Sequence, residues 1–307
     1  MQAIGRLLRL SLAPSALADV AAGIVFANQG HWPEGPRPWW LLASSACVYH
    51  GAMALNDWHD REHDARTRPT RPIPSGAVSE RTAFLLGVGL LALGPGLASK
   101  CGMEAACWSA GLALLASTYD LVGRGPFLGP VLLALCRAGN LGLGLFFASG
   151  AFSTGTSLRA LLVPMALYAL FVLRVSQLGR LEDGEDAALS GSRPKSFVLS
   201  AALTLVFLAL LPAFDPRTHG WGGRIVCIAI AWIAAYGLFR AALSRTRWTR
   251  ADVERAMGLC LRRLLAFTAA LAALAWSPPA HAALFVAGAI LFGYLLSARL
   301  RVVFPPS

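Results

Sequence analysis

Long apolar stretches recur along almost the whole chain and restrict its fold more than any other feature. They are centred on residues 10–28, 39–55, 82–99, 103–119, 127–149, 158–175, 197–214, 225–243, 260–276 and 282–296. Most approach the roughly 20 residues that a helix needs to cross about 30 Å of hydrocarbon. Lipid offers no partner to a backbone N–H or C=O, so a spanning segment is either a helix or part of a closed barrel. Barrel strands alternate apolar and polar residues at period two, and these stretches do not. The chain therefore reads as an all-α, polytopic membrane helical bundle. It has nine transmembrane helices, or ten if both of the last two stretches cross. Residues 260–276 open on Arg262 and Arg263, and residues 282–296 follow Pro278 and Pro279.

Composition agrees with that solvent. Of 307 residues, 56% are hydrophobic and only 14% charged, with a mean hydropathy of +0.57. A soluble domain sits near half apolar and a quarter charged. The first apolar stretch lacks an A-x-A-like cleavage site and continues as a span, so no cleavable signal peptide is expected. Cys47, Cys101, Cys107, Cys136, Cys227 and Cys260 are scattered without a CxxC. They read as small apolar fillers rather than metal ligands or a disulfide framework.

The net charge of +11 follows the positive-inside rule better than it follows nucleic-acid binding. Basic residues crowd the N-terminus and the loops after spans 2, 4, 6 and 8: Arg6 and Arg9, then Arg61 to Arg81, Arg124, Arg174 to Lys195, and Arg240 to Arg263. The opposite loops hold only Arg37, Lys100, Arg159, Arg217 and Arg224. The expected place is the cell inner (cytoplasmic) membrane, with the N-terminus inside. The stretch from Arg245 to Arg263 reads as lying against anionic headgroups.

Two cytoplasmic loops hold half of the sixteen acidic residues. Residues 56–64 read Asn-Asp-Trp-His-Asp-Arg-Glu-His-Asp, and residues 180–186 read Arg-Leu-Glu-Asp-Gly-Glu-Asp. Asp64 and Asp186 are each followed seven residues later by Arg-Pro. We read one domain over 1–307 with a worn internal repeat, in which 1–119 carries spans 1–4, 120–243 carries spans 5–8, and 244–307 carries the C-terminal spans. The repeat aligns Asp57 with Gly179, Asp60 with Glu182 and Asp64 with Asp186.

If span 2 continues as a helix through the first motif, Asp57, Asp60 and Asp64 share a sector of about 60°, and Glu62 points elsewhere. Such a stripe needs a positive partner. Hard oxygen ligands suit Mg²⁺, which completes its shell with water and substrate phosphate. Glu182 and Asp186, spaced i and i+4, can face the first stripe across a cavity. Acidic stripes bind a diphosphate only through such ions, with Arg or Lys neutralising the remaining charge.

At these residues the chain resembles the UbiA superfamily of intramembrane prenyltransferases. Asn56, Asp57, Asp60 and Asp64 match the family pattern N-D-x-x-D-x-x-x-D. Residues 56–76 resemble the chlorophyll synthase and geranylgeranylglyceryl-phosphate synthase branch, and Tyr119 with Arg124 resembles the Y-x₄-[KR] element. Residues 135–140 resemble UbiA-like proteins of ebo-type gene clusters. The resemblance implies helices around a central cavity open to lipid. It also implies Mg²⁺-assisted loss of diphosphate from an isoprenyl diphosphate and attack by a lipophilic, often aromatic, acceptor. Asp57, Asp60 and Asp64 then hold one Mg²⁺, with Asn56 beside them. Glu182, Asp183 and Asp186 hold the other side of the diphosphate, with Glu182 and Asp186 as the metal ligands. Arg68, Arg71, Arg124 and Lys195 neutralise the leaving group. The second motif departs from the family's D-x-x-x-D at Glu182, and Gly179 stands where an earlier Asp is common.

Tyr119 is read as a hydrogen-bond donor or cation stabiliser, or as an interfacial aromatic. Arg137 and Asn140 lie inside an apolar span, where polar groups are costly and are paired or functional. Asp19 is placed likewise, and an Asp19–Arg137 pair is one arrangement that would lower the cost. His59 and His63 are spaced i, i+4 but lack the Glu of H-E-x-x-H, so the aspartate stripe explains the segment better than zinc. Phe146, Phe147, Phe171, Tyr168 and Trp232 are read first as packing or lipid-facing and second as tunnel-lining.

Cyclisation of the prenyl chain is a close variant of transfer. The competing class is a catalytically degenerate UbiA-fold protein serving metabolite export or biosynthetic-complex assembly, which Gly179 and Glu182 favour and the intact first motif opposes. An ion-coupled transporter ranks last, because the carboxylates cluster at span ends rather than mid-span.

Overall fold

A computed structural model describes residues 2–122, 125–148, 158–181, 192–214, 220–245 and 247–303. Every regular element among them is helical. A short α1 (Gln2–Leu7) leads through a 3₁₀ turn (Leu10–Leu12) to α2 (Ala13–Ala27). Then come α3 (Arg37–His59), short α4 (Arg61–Thr67), α5 (Glu80–Ala98), α6 (Met103–Leu121) and α7 (Leu128–Phe147). They are followed by α8 (Leu158–Gly179), α9 (Arg193–Phe214), α10 (Trp221–Leu243), α11 (Arg250–Leu274) and α12 (Ala282–Val303). The long helices occupy the ten apolar windows. Seven of them (α2 with its 3₁₀ turn, α5, α7, α8, α9, α10 and α11) are long and apolar enough to cross a membrane. The multi-pass architecture follows from them.

Two helix starts show why the chain folds locally as it does. The Ser79 hydroxyl accepts from the Thr82 amide and caps α5. Thr249 and Asp252 form a reciprocal capping box that opens α11, satisfying amides that would otherwise be orphaned. This box starts α11 ten residues before the apolar window 260–276. Arg255, Arg262 and Arg263 therefore lie within a helix, not in a loop. Within the apolar window, α11 is buried on every side only from Leu264 to Leu274.

α2 is the central strut, packed against α3, α7, α11 and α12. α8 packs on α7, α9 and α11, and α10 on α9 and α11. Glycines set the closest approach. A Cβ on Gly23 would lie 2.6 Å from the Leu141 carbonyl, and one on Gly144 would run into the Val20 carbonyl. Small residues at a helix crossing let backbones touch where no hydrophobic driving force operates between helices in lipid. The outside is apolar: Leu114, Ile233 and Phe285 are at least 70% exposed, as a lipid-facing surface requires.

Candidate functional site

The first motif sits where α3 gives way to α4. The continuous helix read from the sequence is broken in name only. Asp60 joins the two helices at φ −81°, ψ −3°, and its amide, the Asp64 amide and the Arg68 amide still bond four residues back at 3.0, 2.8 and 2.7 Å. Asp57 and Asp64 consequently share one face. A single nitrogen, Nη1 of Arg71, lies 2.6 Å from Asp64 Oδ2 and 3.5 Å from Asp57 Oδ1. Both carboxylates are buried, whereas the Glu62 side chain is 79% exposed and turned towards Arg61. Asp60 is half-buried and accepts from Asn56 Nδ2 at 3.5 Å.

Arg9 supplies a second cation, with Nη2 3.0 Å from Asp57 Oδ1. It is a non-glycine residue in left-handed backbone, φ 49°, an uncommon conformation that marks a tightly determined position. The sequence marked Arg9 only as one of the N-terminal basic residues, because nothing in its neighbourhood announces a partner 48 positions away.

Two connected cavities open beside this motif. The larger, a chamber of about 570 Å³, is lined by Asn56, Tyr119, Arg9, Arg68, Arg137, Arg180 and Arg262, with Gly179 at the end of α8. Its apolar wall includes Val172, Val175, Leu264 and Leu265. The smaller, about 90 Å³, is an almost wholly apolar branch between α3, α6 and α7. Tyr49, Met53, Tyr119, Leu133 and Arg137 line both. Arginines walled by low-dielectric protein make the chamber a strongly anion-attracting site.

Arg137 belongs to a buried polar network. Its Nη2 lies 3.2 Å from Asp19 Oδ1 and donates to the Tyr168 hydroxyl at 3.0 Å and the Ser15 carbonyl at 3.2 Å. Tyr168 donates in turn to Asp19 at 2.6 Å. Asn140 donates to Asp19 Oδ2 at 3.1 Å and to the Ala16 carbonyl, and accepts from Ser45 at 2.7 Å. The Asp19–Arg137 pair is thus present, and Tyr168, read first as packing, completes it.

The other site candidates fall in different places. Arg68 lines the chamber, but Arg71 is buried behind the motif and does not. Lys195, in the first turn of α9, also lies away from the chamber lining. Arg180 and Arg262, which the sequence marks only as membrane-side charges, take such positions instead. Phe146, Phe147, Phe171 and Trp232 line neither cavity. The two adjacent phenylalanines pack on Trp108, Phe171 faces Phe267, and Trp232 is half-exposed. His59 and His63 are exposed. Among the described residues no three His, Cys, Asp or Glu side chains gather as a metal cluster. Arg124, Glu182, Asp183 and Asp186 lie outside the described residues.

The profile of the UbiA prenyltransferase family matches residues 16–264. The digeranylgeranylglyceryl phosphate synthase of Methanothrix thermoacetophila is 34% identical over 237 residues, 72% of this chain and 82% of that protein. The chloroplastic chlorophyll synthase of Arabidopsis thaliana is 28% identical over 68% of this chain and 52% of its own. Against three further curated relatives, all digeranylgeranylglyceryl phosphate synthases, the chain spans 26% to 48% of their length. The solved structure of a UbiA homolog from Archaeoglobus fulgidus bound to GPP and Mg²⁺ superposes with a TM-score of 0.62 at 16% identity, over 88% of this chain and 99% of that one.

Proposed function

The chain belongs to the UbiA prenyltransferase family, and on that footing we propose that it transfers a polyprenyl group from an isoprenyl diphosphate to a lipophilic acceptor within the membrane, using Mg²⁺. The observation that carries this reading is a convergence. Asn56 of the first motif lines the same chamber as Gly179 and Arg180, the residues that lead directly into the second motif.

The donor set fits Mg²⁺. Asp57, Asp60, Asp64 and Asn56 offer only oxygen and one amide. Asp57 Oδ2 is buried with no hydrogen-bond partner, and Arg71 already stands as a cation shared by two carboxylates. Mg²⁺ takes one or two carboxylates, water and substrate phosphate. Asp57, Asp60 and Asp64 would hold it on one side, and Glu182 and Asp186, with Asp183 beside them, on the other. Bound there, it would neutralise the diphosphate and favour its departure.

The chain's own residues do the rest. Arg68, with Arg9, Arg180 and Arg262, draws the diphosphate into the chamber and balances its charge; Arg124 and Lys195 are further candidates from adjoining segments. Tyr119, where chamber and branch meet, offers a ring face to a developing allylic cation. Arg137 and Asn140, fixed by Asp19, hold the polar floor against the substrates. The apolar branch and chamber wall exclude water from the prenyl tail and acceptor. By charge, both motifs and the N-terminus lie on the cytoplasmic side of the inner membrane.

Purified protein given radiolabelled geranyl or geranylgeranyl diphosphate with Mg²⁺ should release diphosphate. Asp60→Ala and Asp186→Ala should each abolish release while leaving the protein inserted and folded. Full activity in both variants contradicts the metal assignment. No release by the wild type at any prenyl length supports the degenerate, non-catalytic reading, which Gly179, Glu182 and the cation-locked Asp57 and Asp64 favour.

A further inference from the structure

Two arginines reach Asp57, the first carboxylate of the motif. Nη2 of Arg9 lies 3.0 Å from its Oδ1, and Nη1 of Arg71 lies 3.5 Å from the same oxygen. The two are not equivalent. Arg71 is nearer to Asp64, at 2.6 Å, and its side chain is buried behind the motif. Arg9 comes from the turn before α2, keeps 21% of its side chain exposed and lines the chamber, whereas Asp57 does not. The other Asp57 oxygen, Oδ2, is buried with no hydrogen-bond partner. We propose that Arg9 competes with Mg²⁺ for Asp57 and, on yielding the carboxylate to the ion, turns its guanidinium onto the diphosphate. The inference rests on the prenyl-transfer reading above.

A carboxylate as buried as Asp57 needs a cation beside it. Two cations on one carboxylate repel each other, so a metal ion and Arg9 exclude one another there. Arg9 can leave without unfolding its turn, because other residues anchor the backbone. Arg6 donates to the Thr70 carbonyl at 3.1 Å, and the Leu8 carbonyl lies 2.7 Å from His50 Nδ1. Leu7 is fully buried in one cluster with Ala54, Ile73, Val78 and Ala83. These contacts flank the left-handed backbone of Arg9, φ 49°, and leave its side chain to swing. Two donors await an anion in the same place. Arg9 Nε and Ser11 Oγ are buried without hydrogen-bond partners, and both residues line the chamber. Diphosphate oxygens satisfy such donors.

The exchange has a signature of opposite signs. Removing the Arg9 side chain frees Asp57 for the ion, so the metal alone binds more tightly. The same change takes a cation from the diphosphate, so the donor binds less tightly. A residue that only shapes the turn, or only grips phosphate, does not produce the first effect.

The test titrates the full chain in detergent with Mn²⁺, following the free ion by electron paramagnetic resonance, with and without geranyl S-thiolodiphosphate. Arg9→Gly and Arg9→Asn remove the charge and suit left-handed backbone, so the turn survives. Arg9→Lys keeps the charge. Without the thiolodiphosphate, Mn²⁺ should bind both charge-free variants about tenfold more tightly than wild type, the low end of what one opposite charge beside a carboxylate is worth. Arg9→Lys should stay close to wild type. At saturating Mn²⁺, the affinity of the charge-free variants for the thiolodiphosphate should fall about tenfold. Mn²⁺ alone binding them no more tightly than wild type overturns the competition and leaves prenyl transfer intact. Tighter Mn²⁺ with unchanged thiolodiphosphate affinity also overturns the exchange, since Arg9 would then block without turning to the donor. A wild type that holds neither Mn²⁺ nor the thiolodiphosphate removes the metal-dependent reading and this inference with it.

Discussion

Arg137 and Arg71 each neutralise carboxylates in surroundings that disfavour isolated charge, and each does so from a different part of the sequence. Asp19 is fully buried, and its compensation comes from Arg137, Tyr168 and Asn140. Replacing one partner strands the other. Arg137→Met should lower stability by about 3–5 kcal/mol, and the double variant Asp19→Asn with Arg137→Met should recover part of that loss; thermal unfolding in detergent measures both. Equal losses in the single and double variants would show that the pair is not coupled. Polar residues inside apolar spans were visible in the sequence as a cost to be met. Which residue meets it was visible only as one open pairing, because the contacts of α2 with α7 and α8 join positions more than a hundred residues apart. Arg71 was legible as a cation near the motif, but its side was not. It backs the aspartates instead of facing the chamber, and Arg180 and Arg262 face the chamber in its stead.

Glycine decides how closely the elements pack. α2 and α7 cross with backbone against backbone at Gly23 and Gly144. Gly144→Val should force them apart and cost about 1–3 kcal/mol or more. Gly89→Val, on α5 where a Cβ meets open space, should change stability little. Thermal midpoints of the two variants compare them directly, and equal midpoints would refute the close-crossing argument. The element pattern itself was largely legible, since apolar length forces a helix in lipid. Boundaries were not, wherever polar capping extended a helix beyond its apolar window. The early start of α11 at the Thr249–Asp252 box is the clearest instance, and it carries Arg262 to the chamber.

At the scale of the whole molecule, the helices build one chamber at the membrane side where the basic residues gather, and the first motif opens beside it. That orientation has a direct check. In a background without native cysteines, Ser75→Cys and Gly35→Cys, both at exposed positions, should differ in labelling from outside intact cells. The first should be protected and the second labelled, and the reverse pattern would invert the topology. The motif spacing points in the sequence to a pairing of two acidic segments, the second of which, at Glu182 to Asp186, lies outside the described residues. It did not reveal the connected cavities, because a cavity belongs to helix packing and not to any one segment.

The account stands on two acidic segments sharing divalent cations with one diphosphate at the chamber. Mn²⁺ substituted for Mg²⁺ in the presence of geranyl S-thiolodiphosphate measures this by electron–nuclear double resonance. Wild type should show phosphorus hyperfine coupling to protein-bound Mn²⁺, and both Asp60→Ala and Asp186→Ala should lose it. A spectrum that stays that of free aqueous Mn²⁺ in the wild type, or coupling that survives both substitutions, would contradict the account.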